Sequence, residues 1–197
     1  MLNLVLFGPP GAGKGTQADF LIEKFNLIHL STGDLLRTQI ENKTEIGIAA
    51  ETFISKGNLV PDEMIIEILL NAIDSNPNKV CGYILDGFPR TIEQAEALEV
   101  AFQQRHNKIN ALIDIQVESK ELITRLLKRG ETSGRSDDNL DTIKKRLEIY
   151  SLKTAPVNDF YIKLNKYYGV NGLGEIDEIF SRISNIIDQK INCNKIQ

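Results

Sequence analysis

The segment Gly-Pro-Pro-Gly-Ala-Gly-Lys-Gly-Thr at residues 8–16 follows the apolar run Leu4-Val5-Leu6-Phe7. Its spacing, G-x-x-x-x-G-K with Thr16 close behind, is that of a phosphate-binding loop set between a strand and a helix. A polyphosphate needs many donors in a small space. Glycine lets the backbone wrap close to the anion and adopt dihedrals that a Cβ would forbid. The N–H groups of Gly11, Ala12, Gly13, Lys14, Gly15 and Thr16 then face the phosphates, aided by the dipole of a helix starting near Lys14. Lys14 adds a cation spanning the β- and γ-phosphates, and Thr16 adds a hydroxyl beside the phosphate and its Mg²⁺. The first expected ligand is a nucleoside triphosphate. The loop alone does not distinguish a kinase from a P-loop ATPase or a nucleotide-sensing module.

A second segment, Gly82-Tyr83-Ile84-Leu85-Asp86-Gly87-Phe88-Pro89-Arg90-Thr91, ends an apolar strand on an aspartate. In a parallel sheet Asp86 would lie at the carboxyl edge, where ligands bind, and would hold Mg²⁺ through water. Arg90 follows a rigid Phe-Pro turn, and its planar fork suits a phosphate better than a lysine would. With Arg37, Arg125, Arg129, Arg135 and Arg146, it makes a set of arginines around the expected cleft. Phosphoryl transfer asks for alignment and positive charge around the migrating group. Several arginines fit two anionic substrates, whereas a hydrolase needs only a placed water.

Strands expected at Leu2–Phe7, Leu27–Leu30, Gly82–Leu85, Ala111–Gln116 and Lys166–Asn171 position these residues, alternating with helices. The helices are expected near Lys14–Phe25, Gly33–Gln39, Glu45–Lys56, Asp62–Asp74, Ile92–Arg105, Lys120–Arg129, Leu140–Lys153 and Ile176–Lys190. Alternation of this kind gives βαβ units and an α/β fold. Residues 130–138 read as a polar loop between two helices. The 197 residues suffice for one such domain, and the net charge of −4 argues against a general nucleic-acid binder. No apolar run reaches the length of a membrane span. Met1 leads directly into a strand, so no targeting peptide is expected before the fold. Cys81 and Cys193 are too few for a disulfide framework or metal site; Cys81 is expected to be buried, and a reduced, cytoplasmic protein follows. His29 reads as a structural histidine and His106 as a solvated one. Phe88 is open to two readings, base stacking or wedging the turn into the core.

The chain resembles the adenylate kinases. The matching segments are GPPGAGKGTQ at 8–17, STGDLLR at 31–37, LVPDEM at 59–64, GYILDGFPRT at 82–91 with Gln94, RLLKRG at 125–130, SGRSDDN at 133–139 and KKRL at 144–147. The resemblance implies a three-layer P-loop fold with a five-stranded parallel sheet flanked by helices. It also implies Mg²⁺-dependent, reversible transfer from ATP to AMP giving two ADP. One domain, 1–197, would comprise a core (1–30, 61–128, 140–197), an AMP-binding subdomain (31–60) and a short lid (129–139). No cysteine lies between Cys81 and Cys193, so the zinc site of long-lid relatives is excluded.

The resemblance further implies that Arg125 lies against the ATP adenine, with Gly174 closing the other side. Arg37 and Arg90 would grip the AMP phosphate. Arg129, Arg135 and Arg146 would surround the transferring group, oriented by Asp137 and Asp138. Catalysis would rest on Lys14, Arg90, Arg129, Arg135 and Arg146. The AMP site would include Thr32, Asn58, Leu59, Val60, Gly87, Phe88, Pro89 and Gln94, with Arg135 and Arg146 at its mouth. A glutamine amide can pair with the donor and acceptor on the adenine edge. AMP is therefore expected over the pyrimidine monophosphates, with a UMP/CMP kinase as the alternative. The partners implied are ATP, AMP and ADP, with no nucleic acid or membrane, for a protein acting as a monomer.

Overall fold

The computed structural model describes the chain except residues 57, 59, 76–80, 134–136 and 192–197, and the side chain of Lys190. Five strands, β1 (Leu2–Phe7), β2 (Leu27–Ser31), β3 (Gly82–Asp86), β4 (Ala111–Gln116) and β5 (Tyr167–Asn171), form one parallel sheet in the order β2-β3-β1-β4-β5. Every residue of β1 is buried, Asn3 included, and its apolar run Leu4–Phe7 suits a strand covered on both faces. Val5, Phe7, Leu85 and Leu112 face one helical layer with Leu98, Phe102 and Tyr161. Leu4, Leu6, Ile84 and Ile113 face the other with Ala18, Leu21 and Ile183. This is the expected three-layer arrangement.

Nine helices connect the strands among the described residues: α1 (Lys14–Phe25), α2 (Thr32–Glu41), α3 (Glu45–Ile54), α4 (Asp62–Asp74), α5 (Ile92–Gln104), α6 (Ser119–Ser133), α7 (Leu140–Ile149), α8 (Val157–Lys163) and α9 (Ile176–Ile186). Turns of π-helix at Tyr150–Thr154 and Ile187–Ile191 extend α7 and α9. The helix α8 carries only seven residues and escaped the periodicity reading. The stripe Ile65, Ile68, Leu69 and Ala72 on α4 packs into the core.

Two expectations need correction. The polar segment from residue 130 is not loop from its start, because α6 runs on to Ser133. Gly130, Glu131 and Thr132 follow an amphipathic run whose helix propagates at little cost once its apolar face is docked through Leu122 and Leu126. Cys81 is exposed rather than buried. It sits one residue before β3; its backbone N–H donates to Asn26 O (3.0 Å) and its carbonyl accepts from Leu2 N (2.7 Å). At this amino edge of the sheet the backbone is paired while the side chain has left the core. Cys193 lies outside the described residues. His106 is exposed, as expected.

Candidate active site

The loop leaves β1 at Gly8 and closes on itself, with Ala12 N donating to Pro9 O at 3.1 Å. Gly13 caps α1 at φ 96°, ψ 14°, a left-handed conformation that favours glycine. A Cβ at Gly13 would meet no atom within 4 Å, so open space stands over the amide-rich start of α1. Gly15 and Thr16 are exposed toward that space. Lys14 arches back over the loop, donating from Nζ to Gly8 O (2.9 Å) and Pro9 O (3.1 Å). Burial pushes its ammonium down to about 8; Asp86 opposes this, and Arg90, Arg146 and Arg129 add to it. Gln17, also buried, ties α1 to the start of α9 by donating to Ile176 O at 3.1 Å.

Asp86 ends β3 in register with Leu6 of β1 and Ser31 of β2. Three strand ends thus bring the phosphate loop, Asp86 and the start of α2 to one line. Burial works against the Asp86 charge, but His29 and Lys14 outweigh it and hold its carboxyl below the usual carboxylate range. His29 Nε2 stands 3.6 Å from Asp86 Oδ2, an electrostatic contact too long for a hydrogen bond. Burial also opposes charging of His29, and its carboxylate neighbour more than compensates, so its pKa is raised.

Ser31 caps α2, its hydroxyl accepting from Asp34 N at 3.3 Å. The buried Thr32 donates its hydroxyl to Asp86 O at 3.3 Å. Arg37 pairs with Asp34 one turn back. Gly87 turns the chain at φ 81°, and a Cβ there would fall 2.8 Å from Thr32 Oγ1 and 3.2 Å from Arg90 Nη2. Arg90 folds over this turn and donates from Nε to Gly87 O at 2.7 Å. Burial, with Arg146 next, lowers its pKa. The Phe88–Pro89 peptide is cis, and Phe88 is buried in the core while also lining the smaller cavity. Gln94 caps from within α5: Thr91 Oγ1 accepts from Gln94 N (3.2 Å), while Gln94 Oε1 accepts from Arg90 N (2.6 Å). Thr32, Arg37, Asn58, Val60, Gly87 and Gln94 surround a cavity of about 80 Å³. Leu59 lies outside the described residues.

A larger cleft of about 570 Å³ runs beside it, floored by the phosphate loop and reaching Arg125, Arg129 and Gly174. Arg125 donates from Nε to Glu121 Oε1 (2.8 Å) and from Nη2 to Gly172 O (3.3 Å). That contact sets the guanidinium against the turn leading to Gly174, whose φ is 111°. Arg129 forks onto Asp138, with both Nε–Oδ2 and Nη2–Oδ1 at 2.7 Å. Arg146 lies 2.7 Å from Asp137 Oδ2 and 3.2 Å from Asp138 Oδ1. The two aspartates therefore hold two arginines at the cleft. Arg135 lies outside the described residues.

The cleft and the smaller cavity share one wall, made of Gly33, Arg37, Gly87, Arg90 and Arg146. Two pockets joined by guanidinium groups can hold two anions end to end. Comparison with known proteins agrees. The family model described as Adenylate kinase matches residues 6–166. The chain belongs to the adenylate kinase family.

Relatives named Adenylate kinase cover nearly its whole length. The protein from Parabacteroides distasonis is 50% identical over 189 residues, 95% of this chain and 98% of the relative. Those from Bacteroides fragilis and Flavobacterium psychrophilum are each 48% identical, covering 95% of this chain and 99% of the relative. As a member of the family, the chain is an enzyme, a kinase of nucleotides. Family adenylate kinases pair such a fold with Mg-ATP. The donor set fits that ion: the Asp86 carboxylate and the Thr16 hydroxyl are hard oxygen ligands beside the loop. Among the described residues no cluster of three or more metal-ligating side chains occurs. An ion shared with nucleotide phosphates needs no such cage.

The sequence reading passed over Asp62, whose carboxylate accepts from Gln94 Nε2 at 2.6 Å. It was visible only as the acidic first residue of α4 after Pro61, a helix-start signal that conceals a second use. Asp34 and Glu121 were also missed, although their helical spacings to Arg37 and Arg125 are readable.

Proposed function

We infer that this enzyme catalyses ATP + AMP ⇌ 2 ADP by direct, in-line transfer. A phosphate oxygen of AMP forms a bond to the γ-phosphorus of ATP as the bond from that phosphorus to the β–γ bridging oxygen breaks. The AMP phosphate is already anionic, so no general base is required. What carries the reading is the arginine wall common to the two pockets.

In this reading the amides of Gly11 to Thr16 and the Lys14 ammonium hold the ATP phosphates. Arg125 and the Gly174 backbone enclose the adenine. Arg37 and Arg90 hold the AMP phosphate, and Arg129, Arg135 and Arg146 face the migrating group. Thr32, Asn58, Leu59, Val60, Gly87, Phe88, Pro89 and Gln94 bound the acceptor nucleoside. Asp86 would hold Mg²⁺ through water, with Thr16 beside it, and the bound ion would neutralise charge on the phosphates. Residues 31–60 would act as an AMP-binding subdomain and 129–139 as a lid that shuts out water over a core of 1–30, 61–128 and 140–197. The enzyme would work as a cytoplasmic monomer, in keeping with its resemblance to the family. Among the described residues no helix is long and apolar enough to cross a membrane.

A product assay tests the reaction. ATP and Mg²⁺ are incubated with AMP, dAMP, CMP, UMP or GMP, or with no acceptor. ADP formation is expected with AMP and at most slow with the pyrimidine nucleotides. Equal ATP turnover without acceptor would mark a hydrolase instead. Thr32→Ala should narrow the preference for AMP over CMP by about 1–3 kcal/mol, the cost of a buried polar group losing its partner.

A further inference from the structure

Gln94 is 2% exposed and both ends of its amide are committed. Oε1 accepts from Arg90 N at 2.6 Å, and Nε2 donates to Asp62 Oδ1 at 2.6 Å. The two atoms of an amide are told apart by their partners. A backbone N–H can only donate, so Oε1 must face Arg90. An ionised carboxylate can only accept, so Nε2 must face Asp62. The two demands come from different elements, the turn before α5 and the first turn of α4, and they agree.

We propose that Asp62 is a specificity-determining residue: by fixing which way the Gln94 amide points, it makes the acceptor pocket choose a 6-amino over a 6-oxo purine. This rests on the reading that Gln94 faces the acceptor base, and it adds a direction to that contact. With two sites occupied, the amide keeps one N–H and one lone pair for the pocket it lines. Adenine offers a 6-amino donor beside the N1 acceptor, which matches that order. Hypoxanthine offers a 6-oxo acceptor beside an N1–H donor. Pairing with it requires the amide to turn by 180°. Oε1 would then meet the Asp62 carboxylate, and Nε2 would meet the Arg90 N–H. Both mismatches would be buried, where polar groups left without partners are most costly. Without Asp62 only the Arg90 N–H would oppose the turn, and the amide could read the 6-oxo edge with one buried mismatch in place of two. Asp62 touches no part of the nucleotide in this scheme; it acts through Gln94 as a positioning residue.

The test compares AMP with IMP as acceptor at saturating Mg-ATP, since the two differ only on this edge. In Asp62→Asn, close in shape but able to donate as well as accept, the ratio of kcat/KM for IMP to that for AMP should rise about tenfold. Asp62→Ala should raise it at least as far, and if Asp62→Ala fails to fold, Asp62→Asn decides alone. A ratio within twofold of the parent enzyme in folded Asp62→Asn overturns the proposal, even if both rates fall together, because a merely structural role would lower them in proportion. Gln94→Leu separates the two levels. If it abolishes discrimination while Asp62→Asn leaves it intact, the lock is wrong and the base contact stands. If it leaves discrimination intact, Gln94 does not read the base, and both fall.

Discussion

Asp138 grips Arg129 through both carboxylate oxygens at 2.7 Å, and its side chain has no exposed surface. A fork-to-fork pair fixes the plane of the guanidinium as well as its position. The same carboxylate lies 3.2 Å from Arg146, so one acidic group sets two cations at the mouth of the cleft. Asp138→Asn keeps the shape and removes one acceptor and the charge. We expect kcat to fall by about 10–100-fold, as for misplaced groups near a reacting centre. KM for AMP should change less than threefold. An unchanged kcat in steady-state assays would show that the pair is structural only.

Lys14 has a native pKa of about 8, lowered first by burial and then by the surrounding arginines. A polyphosphate reverses that by supplying negative charge, so its pKa rises on binding. The sign follows directly. Near pH 8, where about half the free protein has a neutral Lys14, nucleotide binding takes up about half a proton; near pH 6, where the lysine is already charged, uptake from this group vanishes. Calorimetry of ATP binding in buffers of different ionisation enthalpy measures this. Lys14→Met should abolish the uptake and lower kcat/KM by about a thousandfold.

Gly87 leaves no room for a side chain between Thr32 and Arg90. Gly87→Ala would push a methyl against Thr32 Oγ1 while straining a positive φ. We expect KM for AMP to rise about tenfold, with KM for ATP unchanged within twofold. Parallel rises in both constants would contradict a role weighted toward the acceptor side, where the displaced Thr32 lies.

Asn3 is fully buried in the middle of the sheet. Its Nδ2 donates to Asn107 Oδ1 and Lys108 O, each at 2.8 Å, and its Oδ1 accepts from Tyr83 N at 3.3 Å. Asn3→Ala strands those partners far from the cleft. A loss of about 2–3 kcal/mol is expected, or a melting temperature lower by about 4–12 °C. Activity at 25 °C should be retained; scanning calorimetry and a kinetic assay on the same sample check both.

Strand and helix order were legible because β1 and β4 are largely apolar, interrupted only by Asn3 in β1 and by Asp114 and the terminal Gln116 in β4, and α1 has a clear 3/4 repeat. The phosphate loop was legible because its glycines are needed at fixed places. Asp86 was readable at the end of an apolar run because strand ends in a parallel sheet share one edge. What stayed hidden depends on neighbours distant in sequence. Asp62 and Gln94 are far apart along the chain, and neither residue type announces the other. Cys81 was misjudged because composition gives a residue's preference, whereas exposure here follows from its place one step outside β3. The reach of α6 to Ser133 was missed because polar residues at a helix end resemble loop until the helix behind them is docked.

The register Leu6↔Asp86↔Ser31 binds competence to folding in a further way. Side chains alternate along a strand, so a slip of one residue in β3 would carry Asp86 to the opposite surface and exchange Ile84 and Leu85 between the two apolar layers. A misaligned sheet would disturb the packing of both layers together with the chemistry. A recovering chain should therefore regain turnover in the same step as its core, with no stable inactive isomer in between.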